Sequence, residues 1–188
     1  MKRASILFLF ILILTFCQLS LAHGEEGADV PETIGVLLGS RAHRTFLDEP
    51  VNREDLEIIV QCGIQAPSAR NDQPWHFTVV TNRDIASQIV GGTNGVVIVI
   101  SGSERGISTE FDCGLATQAM YTATQALGLG ANIYLMPVAQ VNATMREALA
   151  IPDGYRVVMI MSVGHIVADT VSSASPRSPF DKLVNIIE

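Results

Sequence analysis

The chain is poor in the residues that mark several large functional classes. It has three cysteines in 188 residues, Cys17, Cys62 and Cys113. Two cysteines beyond the N-terminal run form no disulfide framework. Cys62 and Cys113 fall on separate predicted helices and read as small apolar side chains. There is no CxxC, no HExxH and no clustered His/Cys pattern of a metal centre. His43, His76 and His165 are scattered and read as packing or pocket residues. Basic residues are also few, with 12 Lys and Arg against 19 Asp and Glu and a formal charge of −7. The basic patch needed for nucleic-acid binding is therefore missing. No serine or cysteine carries the signature of an activated nucleophile. No internal repeat is visible.

The N-terminus is a separate matter. Lys2 and Arg3 precede an apolar run from Ile6 to Phe16, and Ser20-Leu21-Ala22 follows. That three-part pattern predicts a secretory signal cleaved after Ala22. The run is shorter than the roughly 20 residues that span a bilayer. The expected product is an exported, periplasmic or extracellular protein without stable membrane insertion; an uncleaved anchor is the alternative. Loss of Lys2 and Arg3 takes the formal charge from −7 to −9. Residues 23–188 have the length of one domain with a sizeable core.

Local signals divide this domain into alternating elements. Ile34, Leu37 and Leu38 place a helix over Glu32–Leu38. Asn52, with Asp55 three residues on, caps a second helix. Its stripe is Leu56, Ile59, Val60, Gly63 and Ile64, and Pro67 ends it. Trp75–Thr81 alternates as a strand. Asn82 starts a short helix through Ile89, and Gly91–Gly95 is a turn. Val96–Ser101 is apolar on both faces, so it is a central strand. Ser108 or Thr109 caps a long helix to Leu127. Gly114, Ala116, Ala119, Ala123 and Ala126 on it leave room for another backbone or a flat ligand. Gly128 and Gly130 invite a phosphate-loop reading, but a helix C-cap at Gly128 explains them better. A strand follows. Asn142 caps a helix through Leu149, Pro152–Gly154 is a turn, and Tyr155–Gly164 is the last strand. Ala168–Pro179 reads as extended. The alternation predicts a three-layer sandwich.

Four pieces could carry chemistry. Arg41 and Arg44 lie three apart after a helix, and guanidinium forks match phosphate oxygens. The stretch "APSARNDQPW" holds Pro67 and Pro74, with Ser68, Asn71 and Gln73 between them. That suits edge recognition of a heteroaromatic ring. "GLGANIYLMP" and the lone Arg177 complete the set.

In this order, with "VGH" at Val163–His165, the pieces resemble the nitroreductase family of FMN-dependent oxidoreductases. The likeness runs from about Val30 to Leu183. It implies an α+β fold, a three-layer α/β/α sandwich around a mixed, mostly antiparallel sheet. A homodimer with FMN at the subunit interface is also implied. By position, Arg41, Ala42 and Arg44 would line the phosphate and pyrimidine side of the flavin. Pro67, Ser68, Ala69 and Asn71 would lie along the ring. Tyr134, Leu135 and Met136 would pass the N5 edge, and Arg177 would close on the phosphate. The flavin would carry the electrons, which accounts for the missing catalytic dyad. NADH or NADPH would reduce it, and a small acceptor such as a nitroaromatic or quinone would reoxidise it, in ping-pong order. The alternative is a flavin-binding module of the same fold without NAD(P)H turnover. Three positions depart from the family pattern. Ser40 stands where arginine is common, Ala42 where serine is common, and the short Gly91–Gly95 link replaces inserted segments that would cover the site.

Overall fold

A computed structural model describes residues 31–167 and 175–188. The predicted signal and part of the extended tail lie outside them. The chain divides into two compact units, Met1–Gly35 and Val36–Glu188. Among the described residues, every helix and strand belongs to the second unit, apart from the first half of helix α1.

Helix α1 spans Glu32–Gly39 and α2 Arg53–Ile64. A 3-10 turn at Ala69–Asn71 leads to strand β1, Trp75–Val80. Then come α3 (Arg83–Ile89), β2 (Val96–Ser103), α4 (Thr109–Ala126), β3 (Gly130–Tyr134), α5 (Val138–Thr144), β4 (Tyr155–Gly164) and the single turn α6 (Phe180–Leu183).

The caps follow the sequence where a local signal decides them. Asn52 accepts a hydrogen bond from the Asp55 amide at 2.7 Å, and Asn82 accepts one from Ile85 at 3.1 Å. Both satisfy an amide that the first helical turn leaves without a partner. The α4 C-terminus is a Schellman motif. Gly128 sits at φ 75°, with its amide donating to Gln125 and that of Leu129 to Thr124. Gly128 therefore caps a helix and forms no phosphate loop. Neither Ser108 nor Thr109 is a side-chain cap of α4. The Thr109 hydroxyl instead donates to the Ser103 carbonyl at 2.7 Å.

The sheet order is β1-β2-β4-β3, with every pairing between named strands antiparallel. Among the described residues the one parallel element is an isolated bridge between Ala42 and Ala131. Strand β2 is central and buried along seven of its eight residues, as its two-sided apolar sequence requires. Its Ile98 and Ile100 join Leu56, Ile59, Cys113 and Met120 in a core beneath α2 and α4. Val97 and Val99 join Ile89, Val141, Leu149 and Ile160 in a second core beneath α3 and α5. These two cores are the seams of the three-layer α/β/α sandwich.

Two details set the positions of the helices. A Cβ on Gly63 would lie 2.7 Å from Met120 Cγ, so α2 packs on α4 only through a glycine. A Cβ on Gly114 would meet nothing within 4 Å, so packing within this chain does not require a small residue there.

Asn142 is not a cap. Helix α5 starts at Val138 and ends at Thr144, with Asn142 inside it. Strand β3 pairs with β4 only from Ile160 to Gly164. The β4 edge at Val157 therefore faces no strand, and the Asn142 amide takes a strand's place. It accepts from the Val157 amide at 2.8 Å and donates to the Val157 carbonyl at 2.9 Å. Tertiary pairing overrides the local capping preference of asparagine, because a buried peptide group needs a partner.

Candidate functional site

The segment from Ser40 to Phe46 leaves α1 and runs alongside β3. The His43 amide donates to the Ala131 carbonyl at 2.8 Å, and the Leu47 amide to the His165 carbonyl at 2.9 Å. This approach requires Gly130, where a Cβ would stand 2.7 Å from His43 Cβ. Phe46 is 3% exposed and anchors the segment's end in the core. Its ring fills the space beside Gly95 and Gly164, where a Cβ would come within 2.8 Å and 2.6 Å of it.

Beside this segment lies a cleft of about 570 Å³. Arg41, Ala42, Arg44 and Arg177 line it together with Leu37, Gln118, Tyr121 and Asn132. No carboxylate is among its lining residues. Among the described residues, no ion pair engages Arg41, Arg44 or Arg177; the arginines that are paired are Arg53, Arg83 and Arg156. Arg177 donates to the Ser175 carbonyl at 2.9 Å, and no other hydrogen bond engages it among the described residues. Three guanidinium groups with no ion pair among the described residues, on a chain of formal charge −7, give this cleft local positive charge. Burial, and then the charge of Arg41, holds the His43 imidazole below its ordinary value.

The two departures in this segment have structural roles here. Ser40 accepts a hydrogen bond from the Gln125 side chain at 3.2 Å. Ala42 occupies the bridge to β3.

The loop from Pro67 to Pro74 is built on its own terms. Arg70, Asn71 and Gln73 have φ of 55°, 58° and 45°. Non-glycine residues held in the left-handed region cost on the order of 1–3 kcal/mol each and concentrate where function requires them. Several hydrogen bonds hold the loop, among them one from the Ser103 amide to the Pro74 carbonyl at 2.8 Å and those accepted by the Ser68 and Asp112 side chains. The Ser68 hydroxyl accepts from the Gln73 amide at 3.0 Å. The carboxylate of Asp112, buried at 1% exposure, accepts from the Ala69 amide at 3.2 and 3.3 Å. The Asn71 side-chain amide has no partner among the described residues and stays available. Trp75 belongs to the core and stacks on Phe77 at 6.3 Å.

The expected site residues therefore separate into groups. Arg41, Ala42, Arg44 and Arg177 come together in one cleft. Pro67, Ser68, Ala69 and Asn71 do not line it, nor do Tyr134, Leu135 and Met136. Tyr134 ends β3, and its hydroxyl lies 3.5 Å from Ser162 Oγ. Leu135 is 65% and Met136 93% exposed just beyond it. Gln118, Tyr121 and Asn132 line the cleft without having been expected from sequence. Gln118 and Tyr121 share a face of α4 through their i, i+3 spacing, which was the available signal. The placement of Asn132 depends on β3 register and had none.

The fold is thus an antiparallel α/β/α sandwich, with a cleft lined by three arginines beside its edge strand β3. The sequence pattern of the nitroreductase family matches residues 37–91 and 86–165, and the chain belongs to that family. A protein of Archaeoglobus fulgidus with the provisional name NADH dehydrogenase/NAD(P)H nitroreductase is 28% identical, over 71% of this chain and 85% of the relative. The solved structure of a nitroreductase with bound FMN from Desulfitobacterium hafniense superposes with a TM-score of 0.72 at 21% identity, over 85% of this chain and all of that one. An FMN-dependent nitroreductase from Clostridium difficile gives 0.71 at 24%, over 84% and 99%.

Proposed function

We propose that the protein is an FMN-dependent oxidoreductase that uses NADH or NADPH to reduce a small acceptor such as a nitroaromatic or quinone. The observation that carries this reading is the cleft with Arg41, Arg44 and Arg177 and no carboxylate. A phosphate monoester dianion fits that donor set, since charge-assisted hydrogen bonds contribute about 1.5–3 kcal/mol each. FMN, when bound, supplies the hydride chemistry, accepting from the nicotinamide and giving to the acceptor in alternating order.

The chain's own residues bind and orient. Arg41, Arg44 and Arg177 neutralise the phosphate. A guanidinium reaching the pyrimidine edge would favour the anionic reduced ring. Pro67, Ser68, Ala69 and Asn71 form a stiff wall for the ring, held by Ser68 and Asp112. Leu135 and Met136, exposed beyond β3, supply apolar surface along the N5 edge. These two groups do not share the arginine cleft within one chain, so the site is proposed to be completed across a homodimer, the loop of one copy meeting the arginines of the other. Export after cleavage of residues 1–22 is part of the same proposal.

The test is the absorbance spectrum of the purified protein with and without added FMN, followed by anaerobic NADH or NADPH. A yellow protein whose flavin bleaches with one of them is expected. A colourless protein that takes up no FMN refutes the reading. The second reading, a flavin-binding module without turnover, draws on Ser40 and Ala42, both engaged within the fold. Bound flavin that neither nicotinamide reduces would favour it.

A further inference from the structure

The Ser40–Arg44 backbone carries two of the three cleft cations, yet it is not a strand. β3 holds it at one bridge, Ala42 to Ala131. The peptide of Arg41, one residue before, has a different partner. The Gln125 side chain, 84 positions away on the last turn of α4, accepts from the Arg41 amide at 3.0 Å. It also donates to the Arg41 carbonyl at 3.2 Å and to the Ser40 hydroxyl at 3.2 Å. A single amide thus satisfies both backbone groups of Arg41, as a neighbouring strand would. Glutamine is suited to this because its side chain carries an acceptor and donors together. A carboxylate would present no donor to the carbonyl and would place an anion beside the Arg41 backbone.

We propose that Gln125 is a positioning residue that fixes the spacing of Arg41 and Arg44 for an anionic ligand, with Ser40 as its secondary anchor. The inference rests on the FMN reading for the identity of the ligand. The clamp itself is made entirely of groups of this chain. Its physical basis is preorganisation: two flexible side chains bind a dianion better when the backbone between them is already fixed. Gln125 touches the backbone rather than the ligand, so its removal should change affinity without removing a cation.

The experiment uses the full chain and three variants, Gln125→Ala, Gln125→Glu and Ser40→Ala. Flavin-free protein is examined by amide hydrogen exchange at Arg41 and by thermal melting, and FMN affinity by quenching of flavin fluorescence. In Gln125→Ala, Arg41 exchange should rise about tenfold and FMN Kd about tenfold, the loss of a net hydrogen bond or two at the clamp. Melting should shift by no more than about 3 °C. Gln125→Glu should weaken FMN further despite its equal length, and Ser40→Ala should have the smallest effect. If Gln125→Ala does not fold, Gln125→Met, which keeps the stem, takes its place.

Unchanged Arg41 exchange, or unchanged FMN affinity in both Gln125 variants, overturns the proposal. A fall in melting temperature with FMN affinity intact also overturns it, since that is what a purely structural tie would give. If the parent itself binds no FMN, the functional reading fails and the exchange measurement alone decides the clamp. Faster exchange in the variants upholds it, and equal exchange rejects it.

Discussion

Arg44→Ala separates binding from folding in this protein. Arg44 is exposed, lines the cleft, and no ion pair engages it among the described residues. Its removal breaks no hydrogen bond or ion pair among the described residues, so stability without FMN should change by no more than about 0.5 kcal/mol, the usual range for such a surface site. The bound state is different. A guanidinium on a phosphate contributes about 1.5–3 kcal/mol, and each 1.4 kcal/mol is about tenfold in affinity. FMN Kd should therefore rise by roughly 10- to 150-fold. Arg44→Lys should fall between, because it keeps the charge and loses the bidentate fork. Raising the salt concentration should weaken FMN binding to the parent more than to Arg44→Ala, since fewer charges remain to be screened. Fluorescence titration gives the affinity, and thermal melting of the flavin-free protein gives the stability. A sharp fall in melting temperature with FMN affinity held would refute the reasoning, because it would make Arg44 a structural residue.

Three further predictions concern the scaffold. Asn142→Ala leaves both backbone groups of buried Val157 without a partner. At about 1–3 kcal/mol for an unsatisfied buried group, it should lower unfolding free energy by roughly 2–4 kcal/mol in urea, with FMN affinity unaffected once folded. His43 has a depressed folded pKa, first from burial and then from Arg41. Its folded form binds fewer protons than the unfolded chain below the ordinary value of 6.5. Stability should therefore fall as pH drops through that value, and His43→Gln should flatten the melting profile there. Burial, and then the Asp112 charge, pushes the Cys113 thiol up to about 11. Iodoacetamide at about pH 8 should label the partly accessible Cys62 in native protein and reach Cys113 only on unfolding, read by peptide mapping.

Much of the scaffold was legible because its signals are local. Asn52 and Asn82 each bond an amide three residues on, which needs no knowledge of the fold. Gly128 adopts the one conformation that ends α4. The apolar run of β2 announces burial on both faces. Asn142 misled for the same reason that Asn52 did not. Both have a capping preference, but Asn142 faces an open edge of β4, which exists only after the sheet has formed. Gln125 gave no sign at all, because its partner is 84 residues away.

The sequence by itself determined most of the elements, the family and the identity of the cations, since spacing along a chain fixes periodicity, motif and those caps whose partners are local. Tertiary structure decided which of those residues meet. It gathered Arg41, Arg44 and Arg177 into one cleft without a carboxylate and left the Pro67–Pro74 loop outside its lining, tied instead to Asp112 of α4. It also turned two amides, Asn142 and Gln125, into substitutes for missing strands. The reason is that a buried or ordered peptide group must find a hydrogen-bond partner wherever the fold presents one, and that choice is made in three dimensions.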